Sequence, residues 1–164
     1  MAILGGIRNQ PAWLEGLYVR FESALRRLDP LIRKLGYQRV DRWMYVPEKV
    51  AKKMVFDCKM CGQCTLHETG MTCPMTCPKQ LRNGPCGGVG ADTSCEVDPG
   101  LKCVWVEAYG RAARMKIYGR GIYDIQPPLN HQLVDRSAFI NVLCCEDDRM
   151  PPSWKQTSTR EAGL

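Results

Sequence analysis

The chain has 164 residues, the length of one ordinary domain, with ten cysteines and a formal net charge of +6. Its basic residues are scattered, with pairs at Arg26-Arg27, Arg33-Lys34 and Lys52-Lys53. Neither a zinc-finger pairing nor an aromatic-basic platform accompanies them, which argues against nucleic acid as a partner. No secretory signal or bilayer-length apolar run is evident, so the expectation is a cytoplasmic chain with no membrane attachment and with reduced cysteines that serve metal rather than disulfides.

From Pro11 to Leu35 the apolar residues Leu14, Leu17, Tyr18, Phe21, Leu25, Leu28, Leu31, Ile32 and Leu35 recur at steps of three and four, the period of an amphipathic helix. Asp29-Pro30 predicts a kink or break, since proline removes a backbone donor and biases the preceding residue away from helical angles. Gly36 suits a helix C-cap. A second, short helix is expected from Val46 to Phe56, starting after Pro47 and leading to Cys58. A third is expected from Val104 to Ile117, with Arg111, Arg114 and Lys116 toward its C-terminal end. From Gly119 onward the chain reads as irregular, an extended tail carrying Gln126-Pro127-Pro128 and Met150-Pro151-Pro152.

Eight cysteines fall between these helices, at Cys58, Cys61, Cys64, Cys73, Cys77, Cys86, Cys95 and Cys103. The segment is rich in Gly, Pro, Asn and Asp and is not expected to build a hydrophobic core, so something else must hold it, and bound metal can contribute folding free energy. Cys58-x2-Cys61-x2-Cys64 is the spacing that wraps one face of a cubane cluster, and eight thiolates would serve two [4Fe-4S] clusters. Twelve residues separate Cys64 from Cys77-Pro78, so spacing alone assigns no fourth ligand to the first cluster. Two four-cysteine Zn2+ sites are the alternative, although no second Cys-x2-Cys knuckle follows.

Other motifs carry less. His67 and His131 are too far apart for a Rieske-like centre, and His67 reads as a surface histidine. Cys73-x3-Cys77 lacks the third cysteine that S-adenosylmethionine radical chemistry requires. Cys144-Cys145 reads as a buried thiol pair, with a redox pair as the alternative. The loop Asn83 to Gly90 lacks the Lys-Ser/Thr ending of a phosphate loop, and no catalytic constellation stands out.

The runs Phe56-Asp-Cys58-Lys-Met-Cys61-Gly-Gln-Cys64-Thr-Leu and Cys73-Pro-Met-Thr-Cys77-Pro-Lys-Gln-Leu-Arg-Asn-Gly-Pro-Cys86-Gly-Gly, with Cys95-Glu-Val and Cys103-Val-Trp105, resemble the cysteine-rich methylenetetrahydrofolate reductase C-terminal domain family. The resemblance covers residues 56 to about 118. It implies that all eight cysteines are ligands, and that the chain is a small iron-sulfur subunit beside a flavin-containing methylenetetrahydrofolate reductase catalytic subunit. Flavin and folate would belong to that partner, because no strand and helix series of the ~250 residues a barrel needs is present. A further electron-donor protein is implied as well. Lys59, Lys79 and Arg82 would place positive charge near the clusters, unless they are simply solvated cations, and Trp105 would keep water away.

The expectation is therefore a mainly α protein with an irregular, cysteine-rich metal-binding centre, ferredoxin-like cluster loops, a long N-terminal helix and an extended C-terminal tail. It divides into a helical docking region (1–56), a cluster-binding domain (57–105), a helix (106–118) and the tail (119–164). The expected role is electron transfer within a methylenetetrahydrofolate reductase complex. A zinc scaffold for the same complex and a free two-cluster carrier are the alternatives.

Overall fold

The computed structural model describes residues 5–144, and within them the chain is mainly helical. Its α-helices are α1 (Pro11–Leu35), α2 (Tyr37–Phe56), α3 (Val104–Ala112) and α4 (Ala138–Leu143), with 3-10 turns at Gly5–Asn9, Pro74–Thr76, Gly119–Tyr123 and His131–Leu133. Among the described residues no strand forms, and β pairing is limited to a single antiparallel bridge between Ser94 and Lys102. No helix among them is long and apolar enough to cross a membrane.

Pro11 opens α1 at a position where its missing N–H costs nothing. The break expected at Asp29-Pro30 does not occur, and α1 runs unbroken to Leu35. Packing overrides the proline: Leu25 and Ile32, on either side of it, are both buried against Ile140 of α4, with Val40 and Met44 of α2 alongside. Asp29 is also held in place, pairing with Arg33 at 2.8 Å and accepting from the Tyr37 hydroxyl at 2.7 Å. Gly36, at φ 86°, is the single residue between α1 and α2, and its N–H caps the Ile32 and Arg33 carbonyls. The second helix is much longer than expected, starting at Tyr37 and taking Pro47 into its interior.

The third helix is shorter than its apolar pattern implies, ending at Ala112. The cause lies in α1. Glu15, only 2% exposed, accepts from the backbone amides of Lys116 (2.8 Å), Ile117 (2.9 Å) and Tyr118 (2.8 Å), which takes these residues out of the helix. Residues 119–144 are not extended either. They carry two 3-10 turns and α4, and include some of the most buried side chains described, Leu133, Ser137, Ile140 and Asn141. Sequence periodicity misses this because the buried positions lie in elements too short to show a period. The rest of the expected tail, residues 145–164, and Cys145 lie outside the described residues.

The Glu15 contact yields a test. Glu15→Ala would leave three amides unpaired, an expected loss of about 3 kcal/mol, readable as a lower urea midpoint at unchanged m-value. Burial pushes the Glu15 carboxyl up, but the amides of Tyr118, Lys116 and Ile117 outweigh it, so the net shift is downward. Its stabilising contribution is therefore complete above the ordinary carboxylate range near ~4.3 and is lost as pH falls below it. Stability of the native chain should fall more steeply with acid than that of Glu15→Gln.

Candidate metal centre

Asp57 ends α2 in the left-handed conformation, φ 54°, and turns the chain into the loop that begins at Cys58. Met60 (φ 49°) and Gly62 (φ 76°) are also left-handed, so the loop curls tightly and keeps turning its peptide units inward. Cys58, Cys61, Cys64 and Cys73 all line one cavity, together with Glu48, Lys52, Gln63, Arg82 and other residues. The fourth thiol, which spacing left unassigned, is Cys73, set beside the first three by the turn before Pro74–Thr76.

Each of the four thiols faces the backbone two residues further on. The Met60 amide donates to Cys58 Sγ at 3.3 Å, the backbone of Leu66 and of Met75 faces Cys64 and Cys73, and the Cys61 thiol donates to the Gln63 carbonyl at 3.4 Å. At Cys58, Cys64 and Cys73 the contact favours the thiolate, as a backbone donor must. Other forces oppose it. The Cys58 thiol is pushed up by its hydrogen bond to Cys73 and then by burial, while the same bond lowers Cys73. Burial raises Cys61 and Cys64, with Lys52 pulling Cys64 the other way. Four thiolates in a dry cavity repel one another, and a bound cationic centre relieves both that repulsion and the cost of burial. The donor set therefore fits a metal centre. Among the described residues no three or more Cys, His, Asp or Glu side chains converge as on one metal ion; the four thiols stand around a cavity instead.

Two buried cations sit in the cavity wall. Arg82, 8% exposed, donates to the Pro127 carbonyl (3.2 Å) and the Gln63 carbonyl (3.4 Å), and its Nη1 lies 4.0 Å from Cys61 Sγ. Lys52 pairs with Glu48 at 2.6 Å. Of the cations singled out in the sequence, Arg82 reaches this cavity, whereas Lys59 pairs with Asp57 at the surface and Lys79 pairs with Glu96. Sequence reasoning missed Lys52 and Glu48 because charged residues inside an expected helix read as its solvated face, and only the packing of Ser137, Ala138 and Phe139 against them makes them buried.

A strap formed by residues 130–141 closes the cavity loop. Asn130 N donates to Gln63 Oε1 (2.7 Å), Asp135 N to the Met60 carbonyl (2.9 Å), and Asn141 Nδ2 to the Gly62 carbonyl (2.9 Å). Glu48 accepts from Ser137 Oγ and from Ala138 N.

The other four cysteines lie outside this cavity. Cys86 is exposed; its thiol is lowered first by the Gly88 backbone and also by Lys79, which in turn pairs with Glu96, the neighbour of Cys95. Cys95 N bonds the Leu101 carbonyl and Cys103 N the Thr93 carbonyl, both at 2.9 Å, which folds the two cysteines onto one turn. Cys77 follows the Pro74–Thr76 turn, and Cys103 is buried at the start of α3. Trp105, 2% exposed, packs in the apolar cluster containing Cys103 and donates to the Leu81 carbonyl at 3.2 Å. His67 is not the surface histidine expected. It stacks on Tyr18 at 4.9 Å, and burial lowers its pKa. Cys144 caps α4 and packs against the Leu25, Ile32 and Ile140 cluster.

Fold and site together define a small helical protein built around a thiol-lined cavity. Residues 37–132, more than half the chain and all eight of the clustered cysteines, match the family described as methylene-tetrahydrofolate reductase C terminal, and the chain belongs to that family. The match begins at α2, leaving α1 outside it. No curated protein and no solved structure matches the chain.

Gly62 tests the strap. A Cβ there would run into the Leu133 carbonyl, and the positive φ adds strain. Gly62→Ala should lift the strap, lower the melting temperature, and speed hydrogen exchange at the Asn130 and Asp135 amides. Unchanged exchange there would mean the strap does not depend on this contact.

Proposed function

We propose that this chain is the iron-sulfur, electron-transfer subunit of a methylenetetrahydrofolate reductase complex. It carries electrons between an external one-electron donor and the flavin of a partner catalytic subunit, in the cytoplasm. One [4Fe-4S] cluster would be held by Cys58, Cys61, Cys64 and Cys73, the second by Cys77, Cys86, Cys95 and Cys103. The single observation that carries this reading is the set of four thiols lining one cavity, with the Met60 amide donating to Cys58 Sγ. Family membership supports the reductase as partner.

Such a cluster, when bound, accepts and releases single electrons at a potential set by net charge, hydrogen bonds to its sulfurs and solvent exposure. The chain's residues act on all three. Backbone amides donate to the ligating sulfurs, and Lys52 and Arg82 offset their negative charge. Leu66, Met71 and Met75, all buried, pack beside Cys73 and keep water away.

Anaerobic purification with iron, zinc and acid-labile sulfide analysis tests the reading. About eight iron and eight sulfide per chain are expected, four of each per cubane, with reduced-cluster signals in electron paramagnetic resonance. Cys73→Ser and Cys86→Ser should each remove about half the iron, and together nearly all of it. About two zinc without sulfide would make the chain a structural module. Loss of the iron-loaded chain's co-purification with a flavoprotein reductase would instead favour a free carrier.

A further inference from the structure

The cavity wall contains a charged pair that the family and the cysteine pattern do not explain. Lys52 and Glu48 stand one turn apart on α2, with side chains 8% and 0% exposed, and both line the four-thiol cavity. The Lys52 ammonium is 2.6 Å from Glu48 Oε1 and 3.9 Å from the centre of the Phe139 ring. The Cys58 amide bonds the Lys52 carbonyl at 3.4 Å, so the residue that carries this cation also fixes where the first thiol begins.

We propose that Lys52 is the cation that sets the reduction potential of the centre held by Cys58, Cys61, Cys64 and Cys73, and that Glu48 is the anion that moderates it. The inference rests on the iron-sulfur reading above. Reduction adds one electron from the external donor and no proton, so the centre gains one negative charge. A fixed cation nearby stabilises that more negative state, and a buried one such as Lys52 is screened little by solvent. Lys59 acts weakly by comparison, since its side chain is half exposed and its pairing with Asp57 is screened. Burial alone would push the Lys52 ammonium toward its neutral form. The Glu48 carboxylate at 2.6 Å opposes that and keeps the charge beside the cavity.

A purely structural role, with the pair joining α2 to Ser137 and Ala138, makes a different prediction. Loosening the structure would shift the potential the same way whichever partner is removed, whereas charge moves it in opposite directions. The experiment is a redox titration of the full, anaerobically purified chain, followed by electron paramagnetic resonance. At a fixed potential, Lys52→Met should lower the ratio of reduced to oxidised centre about tenfold, equivalent to ~59 mV for one electron. Glu48→Gln should raise that ratio, and Lys52→Arg should leave it near the native value. If Lys52→Met holds no cluster, Glu48→Gln decides the matter. Full iron content with a potential that stays put, or that moves the same way in both variants, overturns the inference alone. A native chain without iron and sulfide overturns the iron-sulfur reading and this inference with it.

Discussion

The Glu48 carboxylate is the contact on which the site's architecture depends. It is fully buried, holds the Lys52 ammonium within its own helix, and accepts from Ser137 and Ala138 at the start of α4. One side chain therefore joins the helix that delivers Cys58 to the strap that closes the loop after it. A buried charge without partners costs several kcal/mol, about 3–5 when one member of a pair is removed. Glu48 is tolerable only because each of its oxygens is satisfied. Such a pair adds little net stability, so its value lies in fixing one arrangement of α2, loop and strap.

Charge accounting inside the cavity follows from that arrangement. Thiols in low dielectric stay protonated unless something compensates for their ionised form, which is why burial raises Cys61 and Cys64. The chain offers three kinds of compensation: backbone N–H groups, Arg82 near Cys61, and Lys52 toward Cys64. Each comes from a different part of the sequence, and the strap holds the loop in register with all three. A ligating loop of left-handed turns would otherwise have little to keep it closed.

Much of this was legible in the residues, and the exceptions share a cause. The amphipathic period announced α1, and Gly36 announced its cap, because both are local. Pro30 was read as a helix break and Pro47 as the start of the second helix by local rules, yet both lie inside helices, and Leu25, Ile32, Val40 and Met44 pack in one cluster with Ile140. Tertiary packing outweighs one lost backbone bond. The end of α3 is set by Glu15, about a hundred residues away in the chain, which no local pattern can encode. Cys73 joins the first three thiols for a similar reason, since a loop rather than a spacing rule brings it there. His67 was read as a surface histidine once His131 proved too distant to join it, and the rings of Tyr18 from α1 and Tyr118 are what cover it.

The first helix is an integral part of the folded body. Leu14, Glu15, Leu25 and Ile32 are buried and belong to two of the clusters or to the tie at residues 116–118, so α1 cannot be a detachable docking arm. The flank of α1 next to that buried stripe carries Trp13, Leu17, Leu28, Leu31 and Leu35, all roughly half exposed or more, and Trp43, Val46 and Val50 of α2 are exposed in the same way. Removing the helix would disturb the cavity as well as the fold, because Leu14 packs in the same cluster as Cys73, and that cluster also contacts Cys61 and Cys64.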